Sequence, residues 1–477
     1  MENLSKFYVD GAWIESSTRE TISIVNPATE KEIGRVSIGG VDDVNLAVSA
    51  ARRAFESFSD TSSRERMEVL DRIIAGYKTR YSDLVDAITA EIGAPTRFTR
   101  QVQVGLALKH LEKARDLLKD YKFEYMLEGD IVRREAFGVC GLITAWNWPL
   151  NLVASKIAPA LAAGCTMVLK PSEFAPISTV ILAEIIHEAK VPRGVVNLVN
   201  GTGPIVGQAI ASHPDVELVS FTGSVRGGIE VARAAAPTVK RVHQELGGKS
   251  ANIVLPDADL AVAIPDAVRR CYINSGQSCI APSRLLVHRD QLEDVVEIAR
   301  TSSDSMVVGD PTREETDLGP LANANQFERV QSMIQLGLDE GARLVCGGPG
   351  RPNHCNHGYF VRPTIFADVS QSMTIAKEEI FGPVLSILSY KEIEEAIEIA
   401  NATAYGLAGY VSSADRSKAR HVANRLRAGR IFVNGAPTNA TAPFGGYKQS
   451  GNGREVGIFG LEEFLEIKAI LGDKLDS

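Results

Sequence analysis

No run of about 18 apolar residues survives anywhere in the 477-residue chain, so no membrane-crossing helix is expected. The one tempting stretch, Gly138 to Leu169, is broken by Asn147, Pro149, Asn151, Lys156 and Pro159. It reads as a buried strand, a loop, a helix and a second strand. Positive charge is not in excess: 51 Lys and Arg stand against 59 Asp and Glu, a net charge of −8. That excludes a general electrostatic grip on nucleic acid or acidic membrane, and leaves room for a small anion in a local amide-lined site. Cysteine is sparse, with six residues scattered along the chain. The opening MENLSKFYVDGAWIES has neither a basic nor an apolar leader segment, so a reducing, cytoplasmic setting is expected. Cys346, His354, Cys355 and His357 fit no common zinc spacing and read as a polar surface turn, so no metal is expected.

What remains is an ordinary globular composition, 44% hydrophobic and 23% charged. At ~150 residues per domain the length suggests about three domains. Val44, Ala47, Val48, Ala51, Ala54, Phe55 and Phe58 repeat with helical spacing, and Asp42 is placed to cap that helix. Further helical patterns cover about 64–92 and 99–118, so the first part of the chain reads as mostly helical. A turn at Glu128-Gly129-Asp130 divides two short strands. From 138 to about 236, strands at 138–144, 165–170, 195–199 and 217–221 alternate with helices. A second alternating series starts at Ala251–Leu255 and runs through 284–288, 343–346, 384–390, 408–411 and 430–433. Alternation of this kind predicts parallel sheets covered on both faces, with ligands bound beyond the strand C-termini.

Several loops carry chemistry. Lys170-Pro-Ser-Glu173 follows one strand, and its cation and anion suit ribose hydroxyls. Phe221-Thr-Gly-Ser224 follows another and opens a helix, whose N–H groups suit phosphate. Gly201-Thr-Gly-Pro-Ile-Val-Gly207 is a poor dinucleotide fingerprint, with its last spacing one residue too long, and reads as a turn before a Pro-started helix. Glu245 precedes a Gly-Gly turn. Cys279 follows Asn274-Ser-Gly-Gln-Ser278, where a thiolate could be exposed beside a free backbone N–H. Taken singly, each of these has a plain structural reading: a solvated ion pair, an acidic residue, a small buried hydrophobe.

Together they do not. Thr144-Ala-Trp-Asn-Trp-Pro-Leu150, Lys170-Pro-Ser-Glu173, Phe221-Thr-Gly-Ser224, Glu245-Leu-Gly-Gly-Lys-Ser250 and Gly276-Gln-Ser-Cys279 appear in order. Glu378-Glu-Ile-Phe-Gly-Pro383, Pro443-Phe-Gly-Gly-Tyr-Lys448 and Ser450-Gly-Asn-Gly-Arg-Glu455 follow. In these eight motifs the chain resembles the aldehyde dehydrogenase superfamily, from about residue 7 to 470. The resemblance implies an α/β fold with two Rossmann-type α/β domains and a small β oligomerisation element. The dinucleotide-binding domain would take 1–117 and 137–247, the catalytic domain 248–450, and the oligomerisation element 118–136 and 451–477. It also implies roles. Cys279 would be the nucleophile, Asn147 an oxyanion donor with the Cys279 N–H, Glu245 the base of deacylation, and Lys156 with Glu455 a proton-relay pair. Trp146, Lys170, Ser172, Glu173, Gly223, Ser224, Leu246, Gly247, Glu379 and Phe381 would hold NAD, in preference to NADP. Trp148, Tyr272, Ile273, Ser278, Ile280 and Phe444 would line the substrate pocket. None of those six is Arg or Lys, which argues against a carboxylate-bearing semialdehyde, although Arg100 lies on a helix expected near the entrance.

The expected activity is oxidation of an uncharged aliphatic or aromatic aldehyde to its carboxylic acid, by a homodimer or homotetramer. Alternatives are a CoA-acylating semialdehyde dehydrogenase, which Glu245 disfavours, and a semialdehyde- or amino-aldehyde-specific member of the family. From other classes, a non-catalytic structural relative and a thiol hydrolase pairing Cys279 with His243 are weaker readings.

Overall fold

The computed structural model describes residues 2–473. Met1 and residues 474–477, which belong to the expected end segments, lie outside the described residues. Among the described residues four sheets form. The largest has eight strands with a parallel centre. Val139–Ile143, Thr166–Lys170 and Val196–Leu198 step in one direction, and Leu218–Thr222 and Arg241–Glu245 continue on the other side of Val139–Ile143. Strand order therefore reverses between Val139–Ile143 and Leu218–Thr222, the place where open α/β sheets bind ligands.

These strands are near-continuous apolar runs because both faces are covered. Cys140 and Leu142 face a cluster that includes the helices Pro149–Ala163 and Ile177–Glu188. Their neighbours Val139 and Ile143 face the opposite cluster, with Val44, Ala47 and Val48 of the helix Val41–Phe58.

The second sheet has seven strands, ordered Arg343–Cys346, Thr364–Ala367, Val384–Tyr390, Arg284–His288, Ala251–Val254, Ala408–Ser412 and Arg430–Val433. All its pairings are parallel except the first. It too has a core on each face. The third sheet joins the hairpin Glu124–Leu127 and Asp130–Ala136 to Leu465–Ile470, antiparallel throughout. Its tight turn holds Glu128 and Gly129 at φ of 50° and 103°, the conformation that two-residue hairpins demand.

The structure departs from expectation in several places. The helices of the first part are preceded by four strands within residues 6–38, which the helical reading left out. Lys6–Val9 and Ala12–Glu15 close one edge of the eight-stranded sheet, and Glu20–Asn26 and Lys31–Ile38 make a separate hairpin. The helix Val41–Phe58 is capped at Gly40, whose N–H donates to Asp43 Oδ2 at 2.9 Å, so Asp42 is not the cap. The 64–92 pattern divides at Arg80 into the helices Ser63–Thr79 and Tyr81–Ile92. Arg241–Glu245 and Thr364–Ala367 are strands that the apolar pattern did not reveal. The tail is not one element either. Gly451–Asn452 pairs with Gln244 and Glu245 in the large sheet, and Phe464 and Leu465 pack into the chain's own core. Among the described residues no helix is long and apolar enough to cross a membrane.

Candidate active site

The switch-point edge gathers the loops that follow four parallel strands. Thr144 and Thr222 end two neighbouring strands, and each buries a hydroxyl that has no hydrogen-bond partner among the described residues. Ser224 caps the helix Val225–Ala235 by accepting from the Gly227 N–H at 3.1 Å. Gly223 lies so close to Phe221 that a Cβ there would meet the ring at 2.5 Å. Lys170 is buried, and its Nζ lies 3.3 Å from Glu173 Oε2; burial pushes the ammonium below its ordinary pKa. Ser172 is also buried, with its Oγ accepting from the Phe174 N–H at 3.3 Å. Leu246 packs against Gly228 of the Ser224-capped helix.

The Gly-Gly turn joins the two sheets. The Gly248 N–H donates to Glu379 Oε1 at 2.9 Å, and a Cβ on Gly247 would stand 2.3 Å from Glu379 Oε2. Only glycine lets the backbone come this near a carboxylate. Burial raises Glu379 to about 7, against the Gly248 hydrogen bond and nearby Lys249, which lower it. Phe381 holds a left-handed φ of 64° and meets Trp146 edge-to-face, with ring centroids 5.5 Å apart. Gln326 Nε2 donates to the Phe381 carbonyl at 2.8 Å and an Arg329 N–H donates to the Glu379 carbonyl at 2.7 Å, fixing this loop. Sequence reasoning missed both supports, because neither lies in a motif.

Cys279 arrives at the same turn from the other side. Its carbonyl oxygen lies 2.4 Å from where a Gly248 Cβ would be. Before it, Asn274, Ser275 and Gly276 all adopt left-handed backbone, with φ of 55°, 55° and 73°. Two consecutive non-glycine residues in that region are costly, roughly 1–3 kcal/mol each, and persist only where surroundings impose them. Here they do: Asn274 Nδ2 donates to the Asn147 carbonyl at 2.8 Å, its Oδ1 accepts from Gln103 Nε2 at 3.0 Å, and Ser275 Oγ donates to the Gly319 carbonyl at 2.8 Å. The Asn147 side chain in turn donates to the Gln277 carbonyl at 3.1 Å, aiming its amide at the cysteine loop. Cys279 keeps partial exposure, whereas Cys140, Cys165 and Cys271 are buried. Burial, and then the Glu245 and Glu379 carboxylates, push its thiol well above the ordinary value.

Glu245 is 3% exposed, and neither carboxylate oxygen has a hydrogen-bond partner among the described residues. Burial raises it well above the usual carboxylate range and the Glu455 charge adds to that; Lys156 and Arg454 oppose. Lys156 and Glu455 form a fully buried ion pair, and Ser155 Oγ donates to Glu455 Oε2 at 3.1 Å. Burial alone would raise Glu455, but the Lys156 charge and the adjacent His243 hold it below the carboxylate norm.

Among the six expected pocket residues, Tyr272 is a correction. It is wholly buried in the core of the second sheet, and its hydroxyl donates to the Thr364 carbonyl at 2.9 Å. Ile273, the next residue, is exposed, because the helix Leu260–Tyr272 ends there and the chain turns outward. Trp148 packs edge-to-face on Phe98 at 5.5 Å. Ile280 is held by Tyr410, whose hydroxyl donates to its carbonyl at 2.8 Å, and Ser278 is buried. Phe444 lies under the Arg430 guanidinium, 5.1 Å from its ring centre, and Arg430 also donates to the Pro443 carbonyl at 3.0 Å. A cation therefore borders this region that the motif positions did not reveal. Arg100, on the π-helical turn Thr99–Gln103, is exposed. His243 turns its ring to Ser220 and Glu245 rather than serving as a partner for Cys279. In the Cys346 to His357 region, His354 Nε2 lies 2.8 Å from the Val308 carbonyl; among the described residues no cluster of His, Cys, Asp and Glu could hold a metal.

Comparison with known proteins agrees with the motifs. The sequence matches the aldehyde dehydrogenase family over residues 13–470. A 3-succinoylsemialdehyde-pyridine dehydrogenase of Pseudomonas sp. is 54% identical over 473 residues, 99% of each chain. Aldehyde dehydrogenase C of Pseudomonas syringae, solved as a Cys-to-Ala variant with NAD+ and octanal, is 51% identical with a TM-score of 0.98, covering 100% of this chain and 98% of its own. The betaine aldehyde dehydrogenase of Staphylococcus aureus, solved with NAD+, is 35% identical with a TM-score of 0.95, covering 99% of this chain and 96% of its own. The chain belongs to the aldehyde dehydrogenase family.

Proposed function

We propose that this protein oxidises an uncharged aliphatic or aromatic aldehyde to the carboxylic acid, through a Cys279 thiohemiacetal and thioester, with NAD as electron acceptor. The observation that carries the proposal is the convergence of three groups on the Cys279 loop: the Gly248 turn packed on the Cys279 carbonyl, the Asn147 amide donating to the Gln277 carbonyl, and the buried Glu245 carboxylate, which lies near enough to raise the Cys279 thiol. In this reading the Cys279 sulfur adds to the aldehyde carbon. The oxygen gains charge and is held by the Asn147 Nδ2–H and the Cys279 N–H. After oxidation, Glu245 takes a proton from water as it attacks the thioester. The acid leaves and Cys279 is free again. Glu245 favours water over CoA as acceptor, so coenzyme A is expected not to raise the rate.

The residues fit NAD. The orphaned Thr144 and Thr222 hydroxyls and the close approach allowed by Gly223 suit a polar ligand at the switch point. Ser224 presents the start of an 11-residue helix there. When bound, the nicotinamide supplies the two-electron acceptor for the aldehyde C–H. Glu379 and Phe381 would hold its ribose and ring, with Trp146 behind. Lys170 and Glu173 would meet the adenosine ribose. A 2′-phosphate would face the Glu173 carboxylate at close range, a repulsion of order a few kcal/mol. Glu173→Gln is therefore expected to raise kcat/KM for NADP and lower it for NAD. An unchanged ratio of the two would remove Glu173 from the ribose site.

Asn147→Ala is expected to fold and bind NAD, but to lose about 3–4 kcal/mol of transition-state stabilisation, the usual cost of one oxyanion donor. An unchanged kcat/KM in a soluble variant would exclude it from that role. The substrate class rests on Trp148, Phe98, Ile280 and Phe444, and on the octanal held by the Pseudomonas syringae relative. A kcat/KM panel across aliphatic, aromatic, amino and carboxylate-bearing aldehydes tests it. A preference for the charged ones would point to Arg430 or Arg100 as recognition groups.

Self-association is read from the three-stranded sheet, which exposes Met126, Leu127 and Ile467 on strands with an open edge. Ile467→Asp is expected to shift the assembly to monomer in size-exclusion chromatography with light scattering. It is a sharper test than cutting the tail, because Phe464 and Leu465 belong to the chain's own core. A variant of unchanged size would place the interface elsewhere. The six free cysteines suit a reducing compartment.

A further inference from the structure

Ser220 and His243 lie 23 residues apart, yet they are register partners on adjacent parallel strands. Both side chains are buried. His243 Nδ1 lies 3.2 Å from Ser220 Oγ, and Ser220 Oγ is 2.9 Å from Lys156 Nζ, the cation already paired with Glu455. On its other side, His243 Nε2 is 3.5 Å from Glu245 Oε1. Among the described residues neither of those two atoms makes a hydrogen bond, so this approach is the nearest polar contact between them. A continuous polar chain thus runs from the buried ion pair to Glu245.

Its donors and acceptors fit a direction from the ion pair to Glu245. A lysine ammonium can only donate, so Ser220 Oγ accepts from it. Ser220 keeps its own proton to give, and His243 Nδ1, 3.2 Å away, is an acceptor within its reach. Burial depresses the His243 pKa to about 4, so the ring is neutral at neutral pH, and in this arrangement its single proton sits on Nε2. That proton faces the Glu245 carboxylate. The contact is long, as is common for catalytic hydrogen bonds before substrate arrives.

We infer that His243 is a positioning residue for Glu245: held as the Nε2–H tautomer by Lys156 and Ser220, it aims the carboxylate and favours its ionised form, and so sets the pH at which deacylation switches on. The inference rests on Glu245 as the base of deacylation. It is the arrangement in which a base is oriented by a second group and that group by a third. The other charged or titratable groups facing Glu245 are Glu455, Lys156, Arg454, Glu463, Arg430 and Cys279. Of these, Glu455 also responds to His243, so His243→Gln and Ser220→Ala serve as controls for the ring's own contribution.

The test compares wild type, His243→Leu, His243→Gln and Glu245→Gln in rapid mixing with NAD and octanal across pH. It reads the NADH burst, the steady rate after it, and the fraction of Cys279 acylated at steady state by intact mass. His243→Leu removes the donor. It is expected to lower the post-burst rate about tenfold and raise acyl-enzyme occupancy. It should also move the midpoint of the post-burst rate upward by about one pH unit, because a donor to the ionised form is lost. His243→Gln, whose amide N–H can reach the same place, is expected to restore most of both. Ser220→Ala leaves the ring in place and is expected to move the midpoint the same way, so the chain stays testable if the leucine variant does not fold. An unchanged midpoint and occupancy in the folded His243 and Ser220 variants, with Glu245→Gln still slow after its burst, overturns this inference alone. A Glu245→Gln enzyme with no slow phase overturns the reading of Glu245 and this inference with it.

Discussion

Cys279→Ala is expected to abolish aldehyde-dependent NADH formation, by more than about a thousandfold, because no other group can carry the thioester. The fold should survive. Cys279 is partly exposed, and its carbonyl rather than its sulfur makes the tight contact with Gly248. Alanine keeps the backbone N–H and leaves the Asn147–Gln277 and Asn274–Asn147 hydrogen bonds untouched. NAD binding and thermal stability should therefore stay near wild type while turnover disappears. The other five cysteines set the contrast. Cys140, Cys165 and Cys271 are buried, and burial raises Cys271 to about 12. Cys346 and Cys355 lie at the far edge of the second sheet and its following loop. Serine or alanine at any of the five should leave measurable turnover. Near wild-type NADH formation by Cys279→Ala would contradict the covalent mechanism outright.

The second large effect is on Glu245. Glu245→Gln should still acylate and then stall, losing roughly 10²–10⁴ in the deacylation rate that a positioned base supplies. The expected trace is one enzyme equivalent of NADH in a burst, followed by a slow steady phase. The sign of the burst follows from the electrostatics. Glu245 is among the charges that raise the Cys279 thiol, so replacing it with a neutral amide lowers the thiol pKa and leaves more thiolate at neutral pH. The burst should be at least as fast as in wild type near neutral pH. In wild type it should quicken as pH rises through the alkaline range, where the raised thiol loses its proton. A burst that vanishes in Glu245→Gln would mean that this carboxylate acts on the thiol before oxidation rather than on water after it.

Both parts of the candidate site were proposed from the sequence because each lies in a short contiguous motif. Asn147, Glu245 and Cys279 stand at strand ends or sharp turns whose glycines announce close backbone approach. The packed strands Thr166–Lys170 and Val384–Tyr390 were legible for a different reason: burial on both faces makes them solid apolar runs. The four N-terminal strands were not, because only Lys6–Val9 buries most of its residues and the others mix exposed and half-buried positions without clean alternation. Arg241–Glu245 was hidden by its own chemistry. Its Arg, His, Gln and Glu read as a polar loop, although its last three residues are buried. Tyr272 was assigned to the pocket by the resemblance to the aldehyde dehydrogenase superfamily. The helix end sends Ile273 outward and Tyr272 inward, a difference of one residue that no pattern carries. The Ser220–His243 contact could be read only once strand register was known, since the two residues share no motif.

The measurement closest to the central claim is the mass of the stalled enzyme. Glu245→Gln mixed with NAD and octanal, quenched in acid after the burst and digested, is expected to carry one octanoyl group on the peptide containing Cys279. The unmodified protein should be recovered on long incubation as the thioester slowly hydrolyses. A full burst with no adduct, or an adduct on any other cysteine, would contradict a Cys279 thioester as the intermediate.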